Sequence, residues 1–331
     1  MHMICTLIAH HMQNTVSSAH HAGAHVAWKT GVIRRLGYAC VCLSLEDATL
    51  RGTILRNASP ERLRALIAVN LVTLRRVLQF NLEHGVRLFR ISSEVIPFGS
   101  HPVNNVAWWR EFRQPLRDIA RLIRDSDARV SMHPGQYTVL SSTDPRIVAA
   151  ARQDLIYHAR FLESLEVDTP HKVVIHVGGA YGDKPAALRR WVDAVGDLPE
   201  SVRTRIVLEN DERLFGMDAV LAAASAAHVP VVMDVFHHRV YSGPTGDADL
   251  GEMLHRAAGT WRPDRDGVPK IHYSSQAPGQ RPGAHAEYVD ADEFARSLAL
   301  VPPELELDCM LEAKAKDRAL FRLRESLGMC V

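Results

Sequence analysis

No stretch of this 331-residue sequence approaches the roughly 18 apolar residues that a membrane-spanning helix needs, which argues against an integral membrane protein. Charge of one sign is also missing: 39 Lys and Arg against 38 Asp and Glu leave a formal charge of +1. The global field therefore announces no polyanionic partner, and any nucleic-acid surface has to be a local patch. Cysteine is scarce. The five residues, at positions 5, 40, 42, 309 and 330, lack paired metal-binding spacing, Cys40-Val41-Cys42 being too close for a zinc CxxC. An odd count in a domain of this size points to reduced thiols and a cytoplasmic protein. No GxGxxG follows a candidate strand, which weakens a dinucleotide-binding reading.

Histidine is abundant instead, with 18 residues. His2, His10, His11, His20, His21 and His25 fall in the first 33 positions. That segment has no clear hydrophobic period and lacks the basic start and compact apolar run of a secretory signal. Residues 1–33 therefore read as a disordered or misassigned N-terminal extension, and residues 34–331 as one domain.

From Arg34 onward, strand and helix signals alternate. Short, near-uniformly apolar strands are expected at 34–38, 86–91, 130–133, 173–177, 206–209, 231–234, 270–274 and 305–311. Helices are expected between them. Ser59-Pro60-Glu61 supplies an N-cap, a proline at the first helical position and an acid in the first turn, and His84-Gly85 closes that helix. Further helices are read through Trp108 to Leu122, from Asp144-Pro145 to Leu165, after Asp183, over Met217–Ala227 and Leu250–Ala258, after Asp290 with its Glu293 three residues on, and over Lys314–Leu327. Eight such repeats without a composition break favour a single-domain α/β fold, the (β/α)8 TIM barrel. A doubly wound open sheet is the runner-up.

Potential metal ligands recur where these strands end. His133, His176, His237, His272 and His285 lie at or soon after strand ends, His101 lies in a loop on the same side, and Glu209, Asp234 and Glu312 add carboxylates. In a barrel the C-terminal strand ends converge on one face, and scattered core histidines would not select one rim. Mixed His, Asp and Glu ligation suits Zn²⁺, Mn²⁺ or Fe. Eight ligands are too many for one ion and suit two or three, with Glu209 able to bridge. Ions so placed can activate a water and neutralise charge on a phosphate, which directs the reading to phosphoester hydrolysis. Lys270, two residues before His272, should share its inward face, so it is neutral, paired or carbamylated. Gln136 and Tyr137, just past His133, could wedge into a DNA stack and fill the place of a displaced base. Tyr38 is a third ring expected at that rim. A sugar isomerase or epimerase could use the same residue types in a deep pocket, and a damage-binding protein without catalysis would need only the wedge.

The motifs, taken in order, carry a resemblance. Leu36-Gly37-Tyr38, Arg90 to Phe98, Met132 to Tyr137, Ile175 to Gly179, Leu208 to Glu212, Asp234 to His238, Lys270 to Ser274 and Met310 to Lys314 together resemble the UV damage endonucleases. The resemblance implies a TIM barrel akin to endonuclease IV and up to three divalent ions, in the first place Mn²⁺, with Zn²⁺ or Mg²⁺ as alternatives. It implies a nick immediately 5′ of cyclobutane dimers and 6-4 products in double-stranded DNA; a monomer is the default expectation for a groove that must admit a duplex. Carried over by motif, His133, His176 and Glu209 hold one ion; Glu209, Asp234, His272 and Glu312 hold a second; His237 and His285 hold a third. His101 falls at a further active-site histidine, Lys270 at a carboxylated lysine, and Gln136 with Tyr137 at the pair that probes the lesion, supported by Tyr38. One departure is Cys42, where the family typically has Asn: a thiol cannot reproduce the amide's hydrogen bonds, so the lesion pocket is expected to differ.

Overall fold

The structure, a computed structural model, describes residues 32–329; the reading of residues 1–33 as an extension lies almost entirely outside them. Eight parallel strands close into a barrel in sequence order. They are β1 (Ile33–Ala39), β2 (Leu88–Ile91), β3 (Arg129–Met132), β4 (Val173–Ile175), β5 (Ile206–Glu209), β6 (Val231–Asp234), β7 (Lys270–Tyr273) and β8 (Leu307–Leu311). The helices are α1 (Pro60–Glu83), α2 (Trp108–Glu111), α3 (Arg113–Asp125), α4 (Pro145–Ser164), α5 (Lys184–Gly196), α6 (Glu200–Arg203), α7 (Met217–Ala227), α8 (Val235–Ser242), α9 (Leu250–Ala258), α10 (Pro263–Asp266), α11 (Ala291–Ala299) and α12 (Lys316–Ser326).

Local chemistry explains most of these limits. The Ser59 hydroxyl accepts the Arg62 N–H at the start of α1, and the Asp290 carboxylate accepts the Glu293 N–H at the start of α11. α1 is long and apolar enough to span a membrane by length and composition, yet Leu63, Ile67, Leu71, Leu74 and Leu78 are buried. Each such leucine contributes about 1.5–3 kcal/mol on burial. The helix expected through Trp108 to Leu122 is broken at Phe112, which has φ −103 and ψ 26. α8 was not apparent from sequence. It starts on the last residue of β6, where an Asp234 carboxylate oxygen accepts the His237 N–H at 2.8 Å. Its Val-Phe-His-His start lacks an amphipathic period because all four residues are buried.

Inside the barrel, strand alternation sorts the side chains into levels. At the N-terminal end, Arg129 bonds Asp308 at 2.8 Å and lies 5.3 Å from the Trp261 ring, which packs with Val174, Val207 and Val232. This plug closes that end and leaves the opposite mouth to the chemistry.

Outside the plug, His171 Nδ1 accepts the Val130 N–H at 3.1 Å. Burial, reinforced by Arg129 and Arg205, pulls the His171 pKa down to about 3. The unfolded value is about 6.5, so below that pH the unfolded chain takes up a proton that the fold refuses. Stability from His171 is then complete above about pH 6.5 and is lost as pH falls toward 3. The thermal midpoint should fall between pH 7 and pH 4.5, and His171→Gln should flatten that fall. An unchanged slope in the variant would refute this assignment.

Candidate metal centre

The last inward-facing positions of seven neighbouring strands and strand ends are Arg90, His133, His176, Glu209, Asp234, His272 and Glu312. Because parallel strands of one barrel end at a common rim, residues distant in sequence meet there. Glu209 is the hub. Its Oε2 lies 3.0 Å from His133 Nε2 and 3.3 Å from His176 Nε2, and its Oε1 lies 2.6 Å from His272 Nδ1. His272 Nδ1 is also 3.1 Å from Glu312 Oε1. Two sets of potential ligands result, His133, His176 and Glu209, and Glu209, Asp234, His272 and Glu312, with ligand atoms within 4.8 Å of one another in each.

The donors fit divalent cations. His272 Nε2, Asp234 Oδ2 and His176 Nδ1 are buried without a hydrogen-bond partner, a costly state for the apo fold. Three carboxylates share a small buried volume, and each responds differently. Burial opposes ionisation of Glu209, but His272, His176 and His133 outweigh it and hold the carboxyl well below its usual range. Burial likewise opposes Glu312, which Arg90 and His272 hold well below that range. Asp234 is pushed up by burial and by the charges of Glu209 and Glu312, against His237. The imidazoles follow: burial lowers His133, whereas the carboxylates overcome burial at His272 and carry His237 up to about 9. Protons on His272 and His237 compensate the anionic cluster, and a bound cation would displace them.

His237 and His285 stand beside the two sets. Their ring centroids are 5.7 Å apart, and His237 is 6.0 Å from His176. His285 Nδ1 is 2.8 Å from the Glu312 carbonyl, and His237 Nε2 is 3.9 Å from Glu212 Oε2. Glu212 thus places a carboxylate beside His237.

The family model described as UV-endonuclease UvdE matches residues 34–330. The chain belongs to the UV-endonuclease family. It is 36% identical over 306 residues to the UV DNA damage endonuclease of Bacillus velezensis, covering 89% of this chain and 94% of that one. The solved structure of SacUVDE superposes with a TM-score of 0.82 at 34% identity, covering 89% and 98% of the two chains. Endonuclease IV of Thermus thermophilus shares the fold, with a TM-score of 0.58 at 14% identity over 88% and 98%. Membership makes this an endonuclease acting on UV-damaged DNA and sets aside both the sugar isomerase and the non-catalytic damage binder.

For a member of this UV-endonuclease family, the remaining expected residues divide. Gln136 and Tyr137 stand on an exposed turn closed by the Thr138 N–H to the Gly135 carbonyl at 3.0 Å, with Tyr137 83% exposed. Lys270 is buried below His272 and makes no ion pair among the described residues. Burial, with Arg129 and Arg90 nearby, brings its pKa down to about 7, against the pull of Asp308 and Glu209. His101 is exposed and stays outside both ligand sets; its Nδ1 accepts the Val103 N–H at 3.1 Å. The expectation for Tyr38 is corrected. It is fully buried, on the outward-facing side of β1, its hydroxyl 2.6 Å from Asn81 Oδ1 on α1 and its ring 5.1 Å from Phe89. A ring at a strand end faces in or out by parity, and this one packs against the helix layer. Cys42 is buried against the Tyr38 hydroxyl.

Sequence reasoning also passed over residues that support the centre. Arg90 Nη1 bonds Glu312 Oε1 at 2.6 Å. Asn210 locks β5 to β6, donating to the Asp234 carbonyl at 3.0 Å and accepting the Asp234 N–H at 2.8 Å. His158 is fully buried on α4, with Nε2 2.8 Å from Ser93 Oγ, which donates to the His133 carbonyl at 3.1 Å. Inward parity on β2 was the available signal for Arg90; nothing in spacing pointed to His158.

Proposed function

We propose that the protein nicks the phosphodiester immediately 5′ of cyclobutane dimers and 6-4 products, using two or three divalent ions, in the first place Mn²⁺. His133, His176 and Glu209 would hold one ion; Glu209, Asp234, His272 and Glu312 a second; and His237 with His285 a third. Divalent ions held there would supply Lewis-acid stabilisation of phosphoryl charge and a water of lowered pKa. The observation that carries the reading is Glu209, shared by both ligand sets, with Asp234 Oδ2 and His272 Nε2 buried beside it without a hydrogen-bond partner.

The chain's own groups do the rest. Gln136 and Tyr137 insert beside a lesion whose stacking is already weak, so its extrusion costs less than that of intact bases. Arg90 neutralises Glu312 and keeps its carboxylate ionised and oriented. The lowered pKa of Lys270 leaves part of its amine unprotonated near neutral pH, and that form could add carbon dioxide with loss of a proton to give an anionic carbamate on the inward face of β7. Purified protein with Mn²⁺ should nick UV-irradiated plasmid and leave unirradiated plasmid intact, and EDTA should abolish nicking. Nicking that is equal on both plasmids, or that survives chelation, contradicts the proposal. Tyr137→Ala should lose about 1–3 kcal/mol of lesion discrimination, read as a lower ratio of kcat/KM on damaged over undamaged duplex.

A further inference from the structure

Two half-exposed tyrosines on this rim are used by nothing described so far. Tyr181, 48% exposed, lies in the loop between β4 and α5; Tyr241, 44% exposed, lies near the end of α8. A Cβ on Gly179 would stand 2.8 Å from the Tyr181 ring, and one on Gly216, the N-cap of α7, would overlap the Tyr241 ring. Each ring therefore lies on bare glycine backbone of a rim loop. Each also carries a cation: the Arg190 guanidinium is 5.6 Å from the Tyr181 ring centre, and Lys184 Nζ is 5.9 Å from that of Tyr241.

The loop is built to present Tyr181. Its φ is 53, in the left-handed region that side chains disfavour, and Gly182 follows at 80. The Arg190 Nε–H donates to the Ser141 carbonyl at 2.7 Å, and the Ser141 hydroxyl donates to the Gly179 carbonyl at 3.0 Å. These bonds tie the loop to the one that bears Gln136 and Tyr137. Among the described residues, neither tyrosine hydroxyl makes a protein hydrogen bond, so polar anchoring does not account for the placement.

We infer that Tyr181, Lys184 and Tyr241 form a contact strip for the DNA flanking the lesion. The inference rests on the nuclease reading above. In duplex DNA the base faces are already stacked on one another, so each half-exposed ring packs on a deoxyribose of the backbone, and the exposed Lys184 beside Tyr241 meets a phosphate. The strip therefore adds affinity without regard to damage, whereas Gln136 and Tyr137 select the lesion.

The test compares steady-state nicking of a duplex with one cyclobutane dimer and binding of the undamaged duplex by fluorescence anisotropy, both in Mn²⁺. The double variant Tyr181→Ala/Tyr241→Ala should raise KM on the damaged duplex and Kd on the undamaged one alike, by about tenfold, roughly 1.4 kcal/mol, with kcat unchanged. Tyr181→Phe/Tyr241→Phe should restore both, since packing on a sugar needs only the ring. Lys184→Ala should lower the slope of log affinity against log salt by about 1. The inference is overturned if the alanine double variant binds and nicks as wild type does, if it loses kcat instead, or if Lys184→Ala keeps the wild-type salt slope. A wild type that fails to nick damaged DNA sinks the nuclease reading and the strip with it. A wild type that nicks, matched by its alanine variant, sinks the strip alone.

Discussion

Glu209→Gln is expected to lower the rate of damage-dependent nicking by about 10³-fold or more while leaving the barrel folded. The side chain keeps its shape but loses its charge and one acceptor at the single residue that belongs to both ligand sets. Oε2 is the contact of His133 and His176, and Oε1 that of His272. An amide can accept at one of these sides and must donate at the other, where it faces imidazole nitrogens. Both sets are therefore damaged at once. Asp234→Asn should disturb only the second set and His176→Gln only the first. Metal content by mass spectrometry, measured beside nicking, separates these cases. Wild-type nicking and metal content in Glu209→Gln would remove the basis for the proposed chemistry.

Arg90→Met should cost about 3–5 kcal/mol of stability in the metal-free protein, because it leaves a buried carboxylate without its cation. Arg90 and Glu312 are paired at 2.6 Å with side chains only 11% and 15% exposed. Burial alone would favour a neutral Glu312, and Arg90 is the first of the groups that reverse this. The sign follows from linkage. A carboxyl held below its unfolded pKa of about 4.3 stabilises the fold above that pH and loses the contribution as pH falls through its folded value. Without Arg90 the Glu312 pKa rises, so the gap between variant and wild type should narrow in acid. Saturating Mn²⁺ should also narrow it at pH 7, since a cation at Glu312 replaces part of the lost charge. Thermal midpoints with and without metal test this, with an expected metal-free loss on the order of 10 °C. A metal-free Arg90→Met that melts with the wild type contradicts it.

Much of this could be read before any fold was known. Ile206–Glu209, Val231–Asp234 and Met217–Ala227 occupy the limits that periodicity suggested, since each is a short apolar run closed by a polar ligand, a proline or a left-handed cap. The candidate ligands Glu209, Asp234, His272 and Glu312 were visible for the same reason: a charged group ending a buried strand is costly without a purpose. Other residues were not legible. Tyr38 and His272 both sit near strand ends, but only parity against the barrel axis tells an inward ring from an outward one. α8 hid behind its buried histidines, and Arg90 looked like one arginine among many.

Sequence alone determined the alternation of apolar strands and capped helices, and with it the barrel, because strand and helix periods are local properties of the chain. It also determined the ordered motifs on which family membership stands. Only the tertiary structure decided which side chains share a volume. That Glu209 is common to two ligand sets, that Arg90 answers Glu312 across 222 positions, and that Tyr38 faces the helices all depend on closure of the barrel. Closure brings the ends of distant strands within a few ångströms, and no local pattern encodes that distance.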